Sequence, residues 1–74
     1  MLFGKLLPRE GNFFELFNEH GGFILEGARA FQKMIENYAN PALRQQYADE
    51  VDKAEHAADR VTAEVNRLLH RTFI

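Results

Sequence analysis

A chain of 74 residues forms at most one small domain, and a core of that size is only marginally stable without a staple or a partner. Because the chain has no cysteine, it cannot form a disulfide, a thiolate metal site or a cysteine nucleophile, and we expect a cytoplasmic protein. The formal charge is −2 and the nine basic residues stand singly along the sequence, which argues against nucleic-acid binding.

The N-terminal stretch MLFGKLLP combines one lysine with a short apolar run. Pro8, Arg9 and Glu10 interrupt this run well before it reaches the length of a signal-peptide core. No segment approaches the roughly 20 apolar residues that span a membrane. We therefore expect a soluble chain with neither a secretory signal nor a transmembrane helix.

The stretch GNFFE predicts the start of a first helix. Asn12 can cap the first turn and Glu15 can hydrogen-bond back to it. From about residue 13 to about residue 37, apolar positions recur alternately four and three residues apart, which is typical of a helix that packs against other helices. These positions are Phe13, Phe17, His20, Ile24, Gly27, Phe31, Met34 and Tyr38. Further apolar residues widen the stripe, so this helix needs more than one neighbour.

The stretch NYANPA predicts a turn followed by a second helix. Asn40 suits the capping position and Pro41 the first helical position. The same four-three spacing then continues, which predicts a helix from about residue 41 to about residue 70. The apolar positions are Tyr47, Val51, Ala54, Ala58, Val61, Val65, Leu68 and Thr72.

Two helices of this length joined by a short turn predict an all-α fold, a long antiparallel helical hairpin that occupies residues 1–74 as one domain. A hairpin has only two layers of side chains, so the broad apolar face of the first helix stays exposed in a monomer. Pairing hairpins into a helical bundle by self-association covers that face. We therefore expect a homo-oligomer, either a dimer or a tetramer.

The stretch EHAADR in the second helix contains the candidate chemistry. Glu55 and Asp59 lie one helical turn apart, and Asp52 precedes Glu55 by three residues. Like charges at this spacing repel by a few tenths of a kcal/mol. A cation bound between them would make the contribution of the pair favourable. Oxygen ligands suit magnesium, manganese or iron, and His56 could add a nitrogen ligand. Two residues do not fill a coordination shell, so other ligands must come from another helix, another chain or water.

An ordinary exposed helix face also explains the same residues and is the interpretation that spacing alone favours. At 100° per residue, Glu55 and Asp59 flank the apolar seam of the second helix and do not lie within it. In this interpretation the charges form i,i+4 pairs that contribute little to stability. The pairs are Asp49 with Lys53, Asp52 with His56, and Arg60 with Glu64. Both interpretations remain open on spacing alone.

The remaining candidates have simpler explanations. His20 falls in the apolar stripe, where we expect a partly buried, hydrogen-bonded histidine and not a metal ligand. Gly21, Gly22 and Gly27 lie inside a helix, where they indicate either close helix packing or a hinge. The sequence has no nucleophile elbow, zinc-protease motif or phosphate-binding glycine loop. We therefore expect a protein that is not an enzyme.

Three stretches, MLFGKLLPREGNFFELFNEH, ILEGARAF and KAEHAADRVTAEVNRLLHRTFI, resemble in order and spacing the start of the PhoU-like family of phosphate transport regulators. The closest resemblance is to the branch found beside low-affinity inorganic phosphate transporters. It implies an all-α protein of two similar three-helix bundles, each with an acid-x-x-x-Asp motif that binds metal clusters in some members. Carried onto this chain, that motif is Glu55 and Asp59. Asp52 and His56 stay lesser candidates that rest on their spacing alone, and the candidate metals are iron, manganese or zinc.

The resemblance also implies a function. A regulator of this kind acts on inorganic phosphate transport through protein partners, namely a membrane phosphate transporter or its regulatory machinery, at the inner face of the membrane. The chain matches only about the first third of a typical member and lacks the second acid motif. We expect a truncated product or a half-size version that regains helices by self-association. The alternative is a structural helical oligomerisation module with no metal site.

Overall fold

The computed structural model describes residues 12–73 and contains two helices, α1 (Asn12–Glu36) and α2 (Pro41–Phe73). They pack side by side along most of their length and form an antiparallel hairpin of 54 × 18 × 11 Å. The predicted all-α hairpin is therefore confirmed. Neither helix is both long enough and apolar enough to cross a membrane. The MLFGKLLP stretch lies outside the described residues.

The start of α2 follows the predicted capping arrangement. The Asn40 side-chain oxygen accepts hydrogen bonds from the backbone N–H groups of Ala42 (3.1 Å) and Leu43 (3.2 Å). Pro41 occupies the first helical position, where its missing N–H is not needed. Two N–H groups that have no partner within the helix are thereby satisfied.

The turn between the helices is held from both sides. At the end of α1, the Lys33 carbonyl accepts hydrogen bonds from both the backbone N–H and the side-chain amide of Asn37, at 3.1 and 2.8 Å. Arg44 of α2 donates to the Tyr38 carbonyl at 3.1 Å and lies over the Tyr38 ring at 4.9 Å. These contacts fix the direction in which α2 leaves the turn.

Small side chains form the seam between the helices. Ala54, Ala57 and Ala58 of α2 are buried, as are the larger Val61 and Leu68 nearer its end. On α1 the seam contains the buried Ala30 and also Gly27, at which an added Cβ would lie 3.5 Å from the Ala54 Cβ. The predicted seam of α2 is correct over the residues whose side chains are described. The helix backbones approach closely because little side chain separates them.

The predicted seam of α1 is wrong at every second position. Phe17, Ile24, Phe31 and Tyr38 are each more than half exposed. The line that faces α2 keeps the predicted His20, Gly27 and Met34 and adds two residues that were not predicted, Phe23 and Ala30. All five are buried or half-buried. α1 carries two parallel apolar lines, and close approach to the alanines of α2 favours the line with the smaller residues. The bulkier line is turned outward.

We call this outward line the outer stripe. Its members recur alternately three and four residues apart along α1, and the last of them, Tyr38, lies in the turn just after the helix. They are Phe14, Phe17, Gly21, Ile24, Ala28, Phe31, Ile35 and Tyr38. The six large members are each 51 to 58% exposed. The broad apolar face expected of α1 is therefore exposed in the single hairpin.

Candidate functional site

The two acids singled out by the sequence lie beside a shallow groove between the helices. Glu55 and Asp59 are exposed on α2, and they line a groove of about 180 Å³ together with His20 and Ile24 of α1. Their expected position flanking the seam agrees with the structure. Folding also brings His20 to the same groove, a juxtaposition that spacing within one helix could not predict. We call this the acidic groove.

Asp52 and His56 take a different position. The His56 ring atom Nδ1 lies 2.8 Å from the backbone carbonyl oxygen of Asp52, so this nitrogen donates a proton to the main chain. Neither residue lines the acidic groove. His56 is an exposed residue and lies about 100° around α2 from Glu55. The structure therefore separates the lesser metal candidates from Glu55 and Asp59.

The metal site stays a prediction. Over residues 12–73, no three His, Asp or Glu side chains come together as a group that could hold a metal ion. Glu55 and Asp59 can supply carboxylate oxygens from one helical turn, which suits a hard cation. A complete coordination shell would need water or ligands from another molecule. The acidic groove therefore offers suitable oxygen ligands for such an ion, but too few of them to complete its coordination shell.

The i,i+4 pairs of the alternative interpretation do not form in the described part of the chain. Asp49 accepts a hydrogen bond from the Gln45 side chain at 2.9 Å and does not pair with Lys53. Glu64 pairs with Arg67 at 2.5 and 3.0 Å and not with Arg60. The Arg67 hydrogen bonds lower the pKa of the Glu64 carboxyl, and the positive charge of Arg67 adds to the effect.

A second groove on the other side of the hairpin is larger, at about 540 Å³. Arg29 and Lys33 of α1 and Lys53 and Arg60 of α2 line it. We call this the cationic groove. Sequence reasoning missed it because these residues are isolated along the chain. Spacings of four and seven residues, which place side chains on one helix face, were the signal that could have found it.

Comparison with curated proteins finds a relative that matches nearly the whole chain. The chain resembles a pit accessory protein. That relative, from Rhizobium meliloti (strain 1021), is named "Putative pit accessory protein" and is 36% identical over 73 residues, or 99% of this chain. The chain spans about a third (33%) of the length of this curated relative. No family model matches the chain, and no solved structure matches it. The matched region includes both helices and therefore both grooves.

Proposed function

We propose that this chain is a non-enzymatic accessory component of low-affinity inorganic phosphate transport. The observation that carries the proposal is the 36% identity over 73 residues to a protein named as a pit accessory protein. The resemblance of its motifs to the PhoU-like regulators supports the same role. In this proposal the chain lies at the cytoplasmic face of the membrane, where it regulates a phosphate transporter or the transporter's regulatory machinery by direct contact.

Self-association is part of this proposal. The outer stripe exposes six large apolar side chains on one line of α1, and covering the exposed half of each would contribute about 1 kcal/mol per side chain. A second hairpin whose own outer stripe packs against the first would cover all of them in a symmetric helical bundle. The oligomer, a dimer or a tetramer, would then leave its cationic residues open to a partner.

Metal binding is the finer part of the proposal. Glu55 and Asp59 would coordinate iron, manganese or zinc at the acidic groove, with water or a second chain supplying the missing ligands. The support for this is the exposed pair of carboxylates one turn apart and the matching acid-x-x-x-Asp motif of the resembling family. Nothing in the role of an accessory protein requires the metal, so the two parts can be tested separately.

A structural oligomerisation module with no metal site is the second candidate. Two observations favour it. The described residues bring together no group of three metal-binding side chains, and Glu55 and Asp59 are exposed. In this case the outer stripe would provide the whole activity of the chain, which would be assembly.

Phosphate uptake tests the main proposal. Cells that carry a Pit-type transporter would be assayed for uptake of radioactive phosphate with and without the gene for this protein. We expect removal of the gene to change the uptake rate at high external phosphate, and expression of the 74-residue chain to restore it. If removal of the gene from cells that make the protein left the uptake rate unchanged, the proposal would be overturned.

Metal titration tests the finer part. Isothermal titration with ferrous, manganous and zinc ions would compare the unmodified chain with the double variant Glu55→Ala, Asp59→Ala. The pair Glu15→Ala, Glu19→Ala is a matched control, because these acids are also exposed and four residues apart. We expect only the first double variant to lose binding. Equal binding by both variants would remove the metal role and favour the structural module.

Sedimentation tests the self-association. Analytical ultracentrifugation would compare the unmodified chain with Phe31→Glu, which places a charge in the centre of the outer stripe. The neighbouring change Gln32→Glu adds the same charge at an exposed position outside the stripe. We expect Phe31→Glu alone to shift the oligomer to monomers. A monomeric unmodified chain would show that the outer stripe serves another partner.

A further inference from the structure

The cationic groove is a surface that the proposed phosphate-transport role does not explain. Four basic side chains and two acidic ones, Glu26 and Glu50, line it, so its formal charge is +2 although the whole chain carries −2. It runs along the seam, and its floor includes the buried Ala30, Ala54 and Ala57. The groove therefore combines a narrow apolar floor with two charged walls.

The groove lies away from the surface proposed for self-association. On α1, Glu26, Arg29 and Lys33 each stand two residues from a member of the outer stripe. At 100° per residue this places each of them about 160° around the helix from that member. A second hairpin on the outer stripe would leave the cationic groove open.

The cations of the groove have few partners of their own. Within residues 12–73, no acid comes within ion-pairing distance of Arg29, Lys53 or Arg60. Lys33 lies over the Tyr47 ring, 5.9 Å from its centre, a contact that leaves its charge uncompensated. Glu50 accepts a hydrogen bond from the Gln46 amide at 3.5 Å and forms no ion pair within the described residues. The positive charge of the groove is therefore available to a ligand.

The spread of these cations favours an extended ligand over a small anion. Gly27 and Ala54 lie opposite each other on the two antiparallel helices. Lys33 and Arg60 are each six residues from this point, in opposite directions along the seam. At 1.5 Å per residue, the cations therefore extend over about 18 Å. A single phosphate group would reach only some of them. The groove also lies along helix interiors, where backbone N–H groups are already bonded and cannot help to hold a small anion.

The spacing of the cations matches the surface of another helix. Arg29 and Lys33 are four residues apart, and Lys53 and Arg60 are seven apart. Acidic side chains at the same spacings on a third helix would stand opposite them along the groove. An apolar seam on that helix would meet the alanine floor, in the manner of helices that bind in a groove.

From this geometry we propose that the cationic groove binds an acidic amphipathic helix, with small apolar residues on its seam and Glu or Asp on both flanks. The inference deepens the proposed function, because such a helix would belong to the protein partner that the accessory role requires. Opposite charges along both walls fix the register and speed the encounter. The alanine floor sets how closely the partner's backbone can approach.

A synthetic peptide tests this inference without a transporter. The probe is a fluorescein-labelled helix of about 21 residues, long enough to span the groove at 1.5 Å per residue. It carries alanine and leucine on one seam and glutamate on both flanks, and the control peptide has lysine in place of every glutamate. Binding to the 74-residue chain would be followed by fluorescence anisotropy at low and high salt.

Matched variants identify the groove. Arg60→Glu reverses a charge in the groove, and Arg71→Glu makes the same change on α2 about 16 Å farther along the helix. We expect Arg60→Glu to weaken binding of the acidic peptide at least about tenfold and Arg71→Glu to have a much smaller effect. Binding should also weaken with salt. Circular dichroism would check that each variant keeps its helix content.

Several results would overturn the inference. Equal binding of the lysine peptide, or equal effects of Arg60→Glu and Arg71→Glu, would show that the groove does not select the peptide. Displacement of the peptide by equimolar inorganic pyrophosphate would identify a small-anion site. Binding to vesicles of anionic phospholipid that Arg60→Glu abolishes, with no peptide binding, would identify a membrane surface. A bound peptide together with unchanged phosphate uptake would leave this inference intact and overturn only the proposed function.

Discussion

Alanine at Gly21 and Gly22 should stabilise the hairpin. Both glycines lie inside α1, neither has a positive φ, and a Cβ added to either would meet nothing within 4 Å. Alanine can therefore adopt the same backbone without a clash and without a new contact. What remains is the difference in helix propensity, about 1 kcal/mol for each position. The double variant should gain about 2 kcal/mol in the free energy of unfolding.

Circular dichroism during heating and during urea titration measures this gain. For a domain of this size, 1 kcal/mol raises the Tm by roughly 4 to 8 °C, so the double variant should melt about 8 to 16 °C higher. Gly27→Ala is a useful comparison, because its new Cβ would reach van der Waals contact with the Ala54 Cβ at 3.5 Å. Gly27→Val adds bulk at the same contact and should instead destabilise the hairpin.

An unchanged or lower free energy of unfolding for the double variant would refute this reasoning. It would mean that the glycines are needed for a bend, as the hinge interpretation of the sequence requires. The two positions also differ in their surroundings. Gly21 belongs to the outer stripe and Gly22 does not, so packing of a second hairpin should make the effect of Gly21→Ala, but not that of Gly22→Ala, depend on protein concentration.

Three further measurements test the packing and the charges. Asn40→Ala should cost about 1 kcal/mol of unfolding free energy, since it removes the cap of α2, whereas Asn40→Asp should keep most of it; equal loss in both would contradict the capping role. Leu68→Ala, at a side chain only 3% exposed, should cost about 2 to 4 kcal/mol, and a loss below 1 kcal/mol would place Leu68 outside the core. The pKa of Glu64 is lowered by its hydrogen bonds to Arg67 and by the charge of Arg67, so the stabilisation by this pair is present above the ordinary carboxyl pKa and is lost as the pH falls through the lower folded-state value. NMR titration of the Glu64 carboxyl should show its pKa rise toward the ordinary value in Arg67→Gln, and no rise would exclude Arg67 as the cause.

The sequence predicts the elements well because their signals are local. The capping role of Asn40 and the first helical position of Pro41 depend only on neighbouring residues, and both occur in the structure. The apolar line of α2 is also clear, since it has no second line of comparable strength beside it. Local chemistry and helical period were sufficient for the hairpin itself.

Which face of α1 meets α2 could not be predicted in the same way. Phe31 and Ala30 both belong to a regular apolar line, and hydrophobicity alone favours Phe31. The structure buries Ala30 because a small side chain on α1 lets the two helix backbones come close at the buried alanines of α2. That choice depends on the size of side chains on the other helix, which period analysis of one helix does not include.

The two grooves depend on folding in the same way. His20 approaches Glu55 and Asp59 only because α1 folds back along α2. The cations of the larger groove likewise come from both helices. A sequence pattern can place residues on one face of one helix, but the register between helices decides which faces meet.

Ala54 and Phe23 line both grooves. The wall that separates the two sides of the hairpin is thus a pair of shared side chains in a molecule 11 Å thick. Because a packed interior transmits strain, a larger side chain at Ala54 should change the shape of both grooves at once.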